Sequence, residues 1–322
     1  MKLVTLDRGQ SGSPGVILSD GTYLDLGTAG RVVGETGADA VVLSGSVMGI
    51  LAAEQLQDVR RLVDLVEEGS GEMREALKAA GGLIDAGDAQ LMAPIPQPSL
   101  ILAHGMAYRE HLEEMGVPIP EEPTWFIKAS SSVVGSGAPI VLPRDHGEMV
   151  DWEGEFSIVI GRPCYRVKPD EAMDYVAGYT IINDVSARDW VASALSPGQP
   201  PIDVILAWGK NLAGKQYPSF TPMGPVLVTA DEISDCHDLH LTTTVNGEVM
   251  QDANTSDLIF RIDELISHLS QWHALQPGDV ISTGSPAGVG YARDPKIFLE
   301  HGDLVEITVS GVGTLSNPVM KV

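Results

Sequence analysis

The sequence predicts an α+β protein that is mainly β, with a β-rich body closed into a roll or barrel and a small α+β unit ahead of it. Three observations predict it. Past residue 98 the chain breaks into short apolar runs punctuated by Gly and Pro, the pattern of strands in a closed β architecture. One strongly periodic helix interrupts these runs. Before them, strand and helix patterns mix, and Ala93-Pro94-Ile95-Pro96-Gln97-Pro98 can continue neither. That stretch divides the chain into a small N-terminal domain, 1–93, and a larger domain, 99–322.

In order, Met1–Leu6 and Gly15–Leu18 read as strands, and Ser19-Asp20-Gly21 is a turn before Tyr23–Leu26. Ile50–Glu67 places Leu51, Leu56, Val59, Leu62, Val63 and Val66 at the spacing of one helix face, and a short helix follows over Glu72–Ala80. Strands are then expected at Ser99–Ala103, Trp125–Lys128, Phe156–Ile160 and Tyr179–Asn183. Further strands are expected at Val226–Thr229, Leu241–Asn246, Val280–Thr283 and Leu304–Val309. The interrupting helix carries Ile259, Ile262, Leu265, Ile266, Leu269 and Trp272 on one side. Thr255 or Ser256 serves as its N-cap, and Pro277-Gly278 ends the connection after it.

Composition narrows the function classes. Hydrophobic residues at 43% supply a core, and charged residues at 20% are too few for a disordered chain. With 20 basic against 44 acidic residues the net charge is −24, which repels phosphate backbones and excludes nucleic acid as a partner. An anionic small molecule would need that field inverted locally by a metal or a few placed cations. No apolar run approaches the ~18 residues of a membrane helix, and the start has no signal-peptide core. Two cysteines, Cys164 and Cys236, give neither a disulfide framework nor a cysteine metal site, so a reducing cytoplasm is expected.

The chemistry concentrates in a few segments. In Asp151-Trp152-Glu153-Gly154-Glu155-Phe156 side chains alternate, so Glu153 and Glu155 share a face roughly 7 Å apart. A lone Glu-x-Glu is usually a solvated strand face. Here the strand runs on into apolar Ile158-Val159-Ile160, and Gly154 leaves room for a close approach. Asp184 closes an apolar strand, where it either caps a helix from Ser186 onward or joins the glutamates. Carboxylates without a His or Cys partner suit a hard cation, Mg²⁺ or Mn²⁺, with Ca²⁺ able to take the same place. Such a trio leaves about three octahedral positions open, unlike a purely structural metal site.

Ala107–Gly116 reads as a short helix stopped by Gly116, with His111 and Glu114 on one face. The pair is either a surface contact or an oriented imidazole able to activate water. Lys215 alone is one lysine among many. Thr283–Gly290 is a glycine-rich turn whose amides could cradle a carboxylate, without the pattern of a phosphate loop. His237, His240, His268 and His301 show no ligand spacing.

Taken together and in this order, AYREHLEEMG, FIKASSSVVGSG, DWEGEFSIVIGRP, VAGYTIINDVSARD, GKQYPSFTPMGPV, VNGEVMQDANTSDLIF, LQPGDVISTGSPAGVG and GVGTLSNPV resemble the fumarylacetoacetate hydrolase family over most of Ser99–Val322. Met1–Leu26 weakly resembles the small N-terminal domain many members carry. The resemblance implies a mixed β-roll catalytic domain, usually a homodimer, with Mg²⁺ or Mn²⁺ on Glu153, Glu155 and Asp184. It implies a lid helix carrying His111 and Glu114, and a lysine and threonine at the substrate, Lys215 and Thr283. Tyr108 and Arg188 complete the candidate substrate contacts. Members hydrolyse acylpyruvates or 1,3-diketo acids, decarboxylate oxaloacetate-like acids, or isomerise and dehydrate related oxo-acids of the kind met in aromatic or sugar-acid catabolism.

Two features depart from the family pattern. Members often place a substrate-contacting Gln three residues after the Arg of the SARD run, where this chain has Val191. The connection from Arg188 to Lys215 is also long, with the proline-rich Ser196–Pro201 in it. The expected activity is metal-dependent hydrolysis of a C–C bond in a 2,4-dioxo acid, with decarboxylation or isomerisation of a related 2-oxo acid as the alternative. A non-catalytic, metal-stabilised binding protein is the reading from another class. His104, at the end of an apolar strand, is either a further metal ligand or a residue hydrogen-bonded behind the site.

Overall fold

The computed structural model describes residues 1–9, 12–35, 41–189 and 201–321, the side chains of residues 201 and 204 excepted. Val191 and residues 196–200 lie outside that range.

Most of the expected strands join one twelve-stranded sheet. Its spine runs from Leu83–Ile84 through Tyr23–Asp25, Ser13–Ile17 and Lys2–Leu6 to Thr221–Thr229. It continues through Val176–Asn183, Gly154–Ile160, Val280–Ser282 and Ile101–Gly105 to Thr124–Lys128. A five-stranded sheet, ordered Glu248–Asn254, His240–Val245, Leu304–Val309, Gly313–Lys321 and Ile140–Leu142, packs against the Gly154–Ile160, Val176–Asn183 and Thr221–Thr229 strands. The fold is thus mixed α and β and mainly sheet.

The sheet spans the Pro-rich stretch near residue 95 at which the sequence predicts a division. Lys2 and Leu3 pair with Val228 and Leu227. Leu24, Leu62 and Val66 from the N-terminal unit share one apolar cluster with Val159, Ile182 and Leu227 from the rest of the chain.

The long helix expected over 50–67 is two helices, Val47–Ala52 and Leu56–Glu67, separated where Glu54 takes a left-handed φ of 54°. The helix Leu26–Glu35 has no counterpart among the expected elements, because three glycines hide its period. The periodic helix covers Ile262–Trp272, and Thr255–Asp257 forms a separate single turn before it. Arg261 is the N-cap, with Glu264 accepting from its backbone N–H. The helix buries Ile262, Leu265, Ile266 and Leu269 against the face of the large sheet that carries Phe156, Ile158 and Ile281.

The connection from Arg188 to Lys215 contains a 13-residue helix, Pro201–Ala213. Apolar residues surround it on nearly every side, so no amphipathic period announces it.

Candidate metal centre and active-site cavity

Pairing places the carboxylates. Gly154 is paired with Asn183, and the Asp184 N–H donates to the Glu153 carbonyl at 2.8 Å, so both antiparallel strands bring their acidic ends to one edge. The Asn183 side chain returns the contact by accepting from the Glu153 N–H at 3.0 Å. Carboxylate oxygens of Glu153, Glu155 and Asp184 all lie within 4.8 Å of one another. Asp184 does not cap a helix, since Ser186-Ala187 pairs as a strand with Val150-Asp151. The close approach that Gly154 permits comes from the second sheet: a Cβ there would stand 2.2 Å from Thr243 Oγ1.

The site carries its own cations. Lys215 Nζ donates to Glu153 at 2.7 Å, to Asp184 at 2.6 Å and to the Ser186 hydroxyl at 2.7 Å, which spends all three donors. Contact between Lys215 and a substrate therefore requires one of these to be exchanged. Arg188 reaches Glu153 and binds Asp151 through Nε and Nη2 at 3.2 and 3.1 Å. Lys128, wholly buried, donates to Asp184 and to the carbonyls of Lys215 at 2.8 Å and Phe220 at 3.2 Å. Sequence reasoning misses this role of Lys128 and shows only the end of a strand. Its signal is a charge closing the run TWFIK, but nothing local shows what it meets.

These contacts set the titration. Burial raises the Glu153 carboxyl, but Lys215 and Arg188 outweigh it and hold the group below the usual carboxylate range. Among the described residues Glu155 has no cation of its own; the Ser282 hydroxyl donates to it. Burial, then Asp184 and Glu153 facing it, push its carboxyl well above the usual range. Burial and its neighbour Glu153 raise Asp151 against the pull of Arg188. Burial lowers the Lys128 ammonium, and Asp184 resists that shift. Lys128, Arg188 and Lys215 balance only three of the four carboxylates Asp151, Glu153, Glu155 and Asp184. A divalent cation fits this donor set, because it would relieve the one carboxylate left without a counter-charge. The oxygen-only ligands suit Mg²⁺ or Mn²⁺.

The deep position of Lys128 has a measurable consequence. Removing one partner of a buried ion pair costs about 3–5 kcal/mol, because the other charge stays behind. Lys128→Met is therefore expected to lower stability by that order in denaturant unfolding. An unchanged midpoint would show that Lys215 alone neutralises Asp184.

His111 and Glu114 lie on the helix Arg109–Met115, which Gly116 ends in the left-handed conformation at φ 65°. His111 Nδ1 meets Glu114 Oε2 at 3.1 Å, leaving Nε2 as the nitrogen a water can approach. Both line a cavity of about 660 Å³ together with Glu153 and Arg188. Walls of this cavity also come from the Pro201–Ala213 helix and from Val289–Ala292.

The remaining candidate residues lie elsewhere. Tyr108 and Thr283 are fully buried and do not line the cavity, and the Thr283 hydroxyl donates to the Phe156 carbonyl at 2.9 Å. Amides of the glycine-rich turn serve the protein's own carboxylates: Gly290 and Tyr291 donate to Asp151 at 2.7 and 3.1 Å, and Gly288 reaches Glu114 at 3.5 Å.

His104 is on the wrong face for ligation. Ser157 pairs with Ser282 and Ser282 with Ala103, so Glu155 shares their face, whereas His104 follows Leu102 to the other. There it packs 6.0 Å from Phe260, and among the described residues neither ring nitrogen has a hydrogen-bond partner. Burial lowers its pKa to about 4.

Comparison with known proteins agrees with this geometry. Residues 100–320 match the family described as fumarylacetoacetate (FAA) hydrolase, C-terminal. A mitochondrial oxaloacetate tautomerase of Xenopus laevis is 40% identical over 263 residues, covering 81% of this chain and 78% of that protein. A 2-hydroxyhepta-2,4-diene-1,7-dioate isomerase from Mycobacterium marinum is 38% identical, with a TM-score of 0.62 over 75% of this chain and 81% of that one. A maleylpyruvate hydrolase from Sphingobium sp. SYK-6, solved with manganese(II) and pyruvate, is 27% identical. It superposes with a TM-score of 0.69 over 100% of this chain and 99% of that one. Among the described residues, no helix is long and apolar enough to cross a membrane.

Proposed function

The chain belongs to the fumarylacetoacetate hydrolase family, and from that membership we propose that it is a divalent-metal-dependent hydrolase cleaving the C–C bond of a 2,4-dioxo, acylpyruvate-type acid. The observation that carries the reading is the His111–Glu114 pair standing in one cavity with Glu153 of the carboxylate trio. Glu153, Glu155 and Asp184 would hold Mg²⁺ or Mn²⁺, which supplies Lewis acidity to the 2-oxo-carboxylate end of a substrate when bound. The manganese and pyruvate in the Sphingobium hydrolase support that choice.

The chain's own groups perform the proton work. Glu114 orients the imidazole through Nδ1, and His111 Nε2 removes a proton from water. The hydroxide so formed attacks the 4-carbonyl. The C3–C4 bond then breaks, its electron pair passing into the enolate of the 2-oxo acid, and C3 recovers a proton from the imidazolium. Lys215 and Arg188, with Glu153 between them, offset part of the site's negative charge, and a bound divalent cation would supply the rest of the inversion an anion needs in a −24 protein. Tyr108 and Thr283 support the strand end and the lid from within the core. A homodimer and a reducing cytoplasm complete the proposal; both cysteines are free and buried, which suits the latter.

Similarity to the Xenopus tautomerase favours a second reading, in which the same imidazole takes a proton from C3 and returns it to the enol oxygen, or the reverse, without cutting a C–C bond. Product analysis with Mn²⁺ separates the two. Pyruvate and a free acid from acetylpyruvate or fumarylpyruvate support hydrolysis. Keto–enol exchange of oxaloacetate with no cleavage of any dioxo acid would overturn it.

A further inference from the structure

The cavity beside the carboxylates is chemically lopsided. Among the described residues its polar lining is limited to the catalytic side chains with Asn211 and Tyr291, while Met115, Ile205, Ala207, Trp208, Val289 and Ala292 make the rest of the wall. Ile205, Trp208 and Asn211 repeat at helical spacing on Pro201–Ala213, so one helix provides much of that wall. Ile205 is 67% and Trp208 56% exposed, large apolar surface that water covers poorly. At about 660 Å³ the space is far more than a four-carbon diacid fills, and falls within the roughly 300–1,000 Å³ of pockets that take drug-sized ligands.

Charge points the same way. Among the described residues, Arg188 is the one Lys or Arg that lines the cavity, and its guanidinium is committed to Asp151 and Glu153. Lys128 and Lys215 are buried and spend their donors on the carboxylates and nearby oxygens. The sequence of residues 190–200 contains no lysine, arginine or histidine. Lys296 stacks on the Tyr291 ring without entering the lining, so a second carboxylate on the substrate would lose its water against apolar side chains with no free cation in the described wall. An apolar tail would bury its surface there at a gain.

We infer that this site selects a 2-oxo acid with a single carboxylate and an apolar, preferably aromatic, acyl tail seated on Trp208 and Ile205, and discriminates against short dicarboxylates. The inference rests on the proposed reaction for the head of the substrate, but its support is the wall that meets the tail. The indole of Trp208 is a flat apolar surface suited to stacking with a ring, and Met115 from the helix Arg109–Met115 is a deformable cover.

The test uses the full chain with Mn²⁺ and a matched set of acids: acetylpyruvate, benzoylpyruvate, fumarylpyruvate and oxaloacetate. Turnover is measured beside calorimetric binding of each acid, so that the tail preference reads out even if the reaction differs. The expected result is kcat/KM for benzoylpyruvate above that for fumarylpyruvate by roughly 10²-fold, the order set by an unpaired buried charge. Trp208→Ala should raise KM for benzoylpyruvate about tenfold, with a smaller change for acetylpyruvate. Equal or tighter use of the carboxylate-tailed acids would overturn the inference. So would a Trp208→Ala protein that loses all substrates equally, or whose main change is its oligomeric state by light scattering. Absence of both cleavage and tautomerisation, with benzoylpyruvate still bound more tightly than fumarylpyruvate, would instead sink the proposed reaction and leave the tail preference standing.

Discussion

Exhaustive chelation is expected to abolish turnover, added Mn²⁺ or Mg²⁺ to restore it, and Glu155→Gln to be rescued by neither. Loss of the Lewis acid removes several kcal/mol of charge stabilisation, so the expected fall is roughly 10³-fold or more. Glu155 is the informative position because the three carboxylates differ in their counter-charges. Lys215 and Arg188 already serve Glu153, and Lys128 and Lys215 serve Asp184, whereas Glu155 has only the Ser282 hydroxyl. The amide keeps the shape and an acceptor for Ser282 while removing a carboxyl that its neighbours repel. The variant is therefore expected to unfold no earlier than the parent protein in metal-free denaturation, which separates a lost ligand from a lost fold. Full activity after chelation, or a Glu155→Gln enzyme that responds normally to Mn²⁺, would sink the metal assignment.

His111→Ala should lose hydrolysis by about 10²–10⁴-fold, the usual contribution of a positioned base. Metal binding should survive, since the imidazole is not among the clustered ligand atoms. Glu114→Gln should fall less, because the amide still contacts Nδ1 but no longer stabilises the imidazolium. Retained hydrolysis in His111→Ala would show that the dyad is a surface pair. Lost hydrolysis beside retained tautomerisation of oxaloacetate would show that the imidazole serves only the water step.

Local pattern was enough for much of this. Alternation over 151–156 put Glu153 and Glu155 on one face, and helical spacing put His111 beside Glu114, because both relations depend only on the geometry of one element. The strand order was not legible, and with it went every contact that crosses the sheet. Lys128 meets Asp184 across 56 residues and Ser282 meets Glu155 across 127, pairs that no spacing rule can bring together. The same holds for Asp151, whose role is to gather Arg188 and the amides of Gly290 and Tyr291.

By itself the sequence determined that the chain is mainly sheet, that Glu153 and Glu155 share a strand face, that Asp184 closes an apolar strand, and that a His–Glu pair sits on a short helix stopped by Gly116. Only the tertiary structure decided which side of the sheet each residue faces and what it meets there. His104 was turned away from the metal centre by the parallel register of 101–103 on 280–282, where a shift of one residue would have reversed its face. The helix Pro201–Ala213 became the cavity wall although its all-round apolar sequence has no period to read. Alternation and helical repeat are properties of a single segment. Face, counter-charge and pocket shape are set by long-range pairing, which the one-dimensional pattern does not encode.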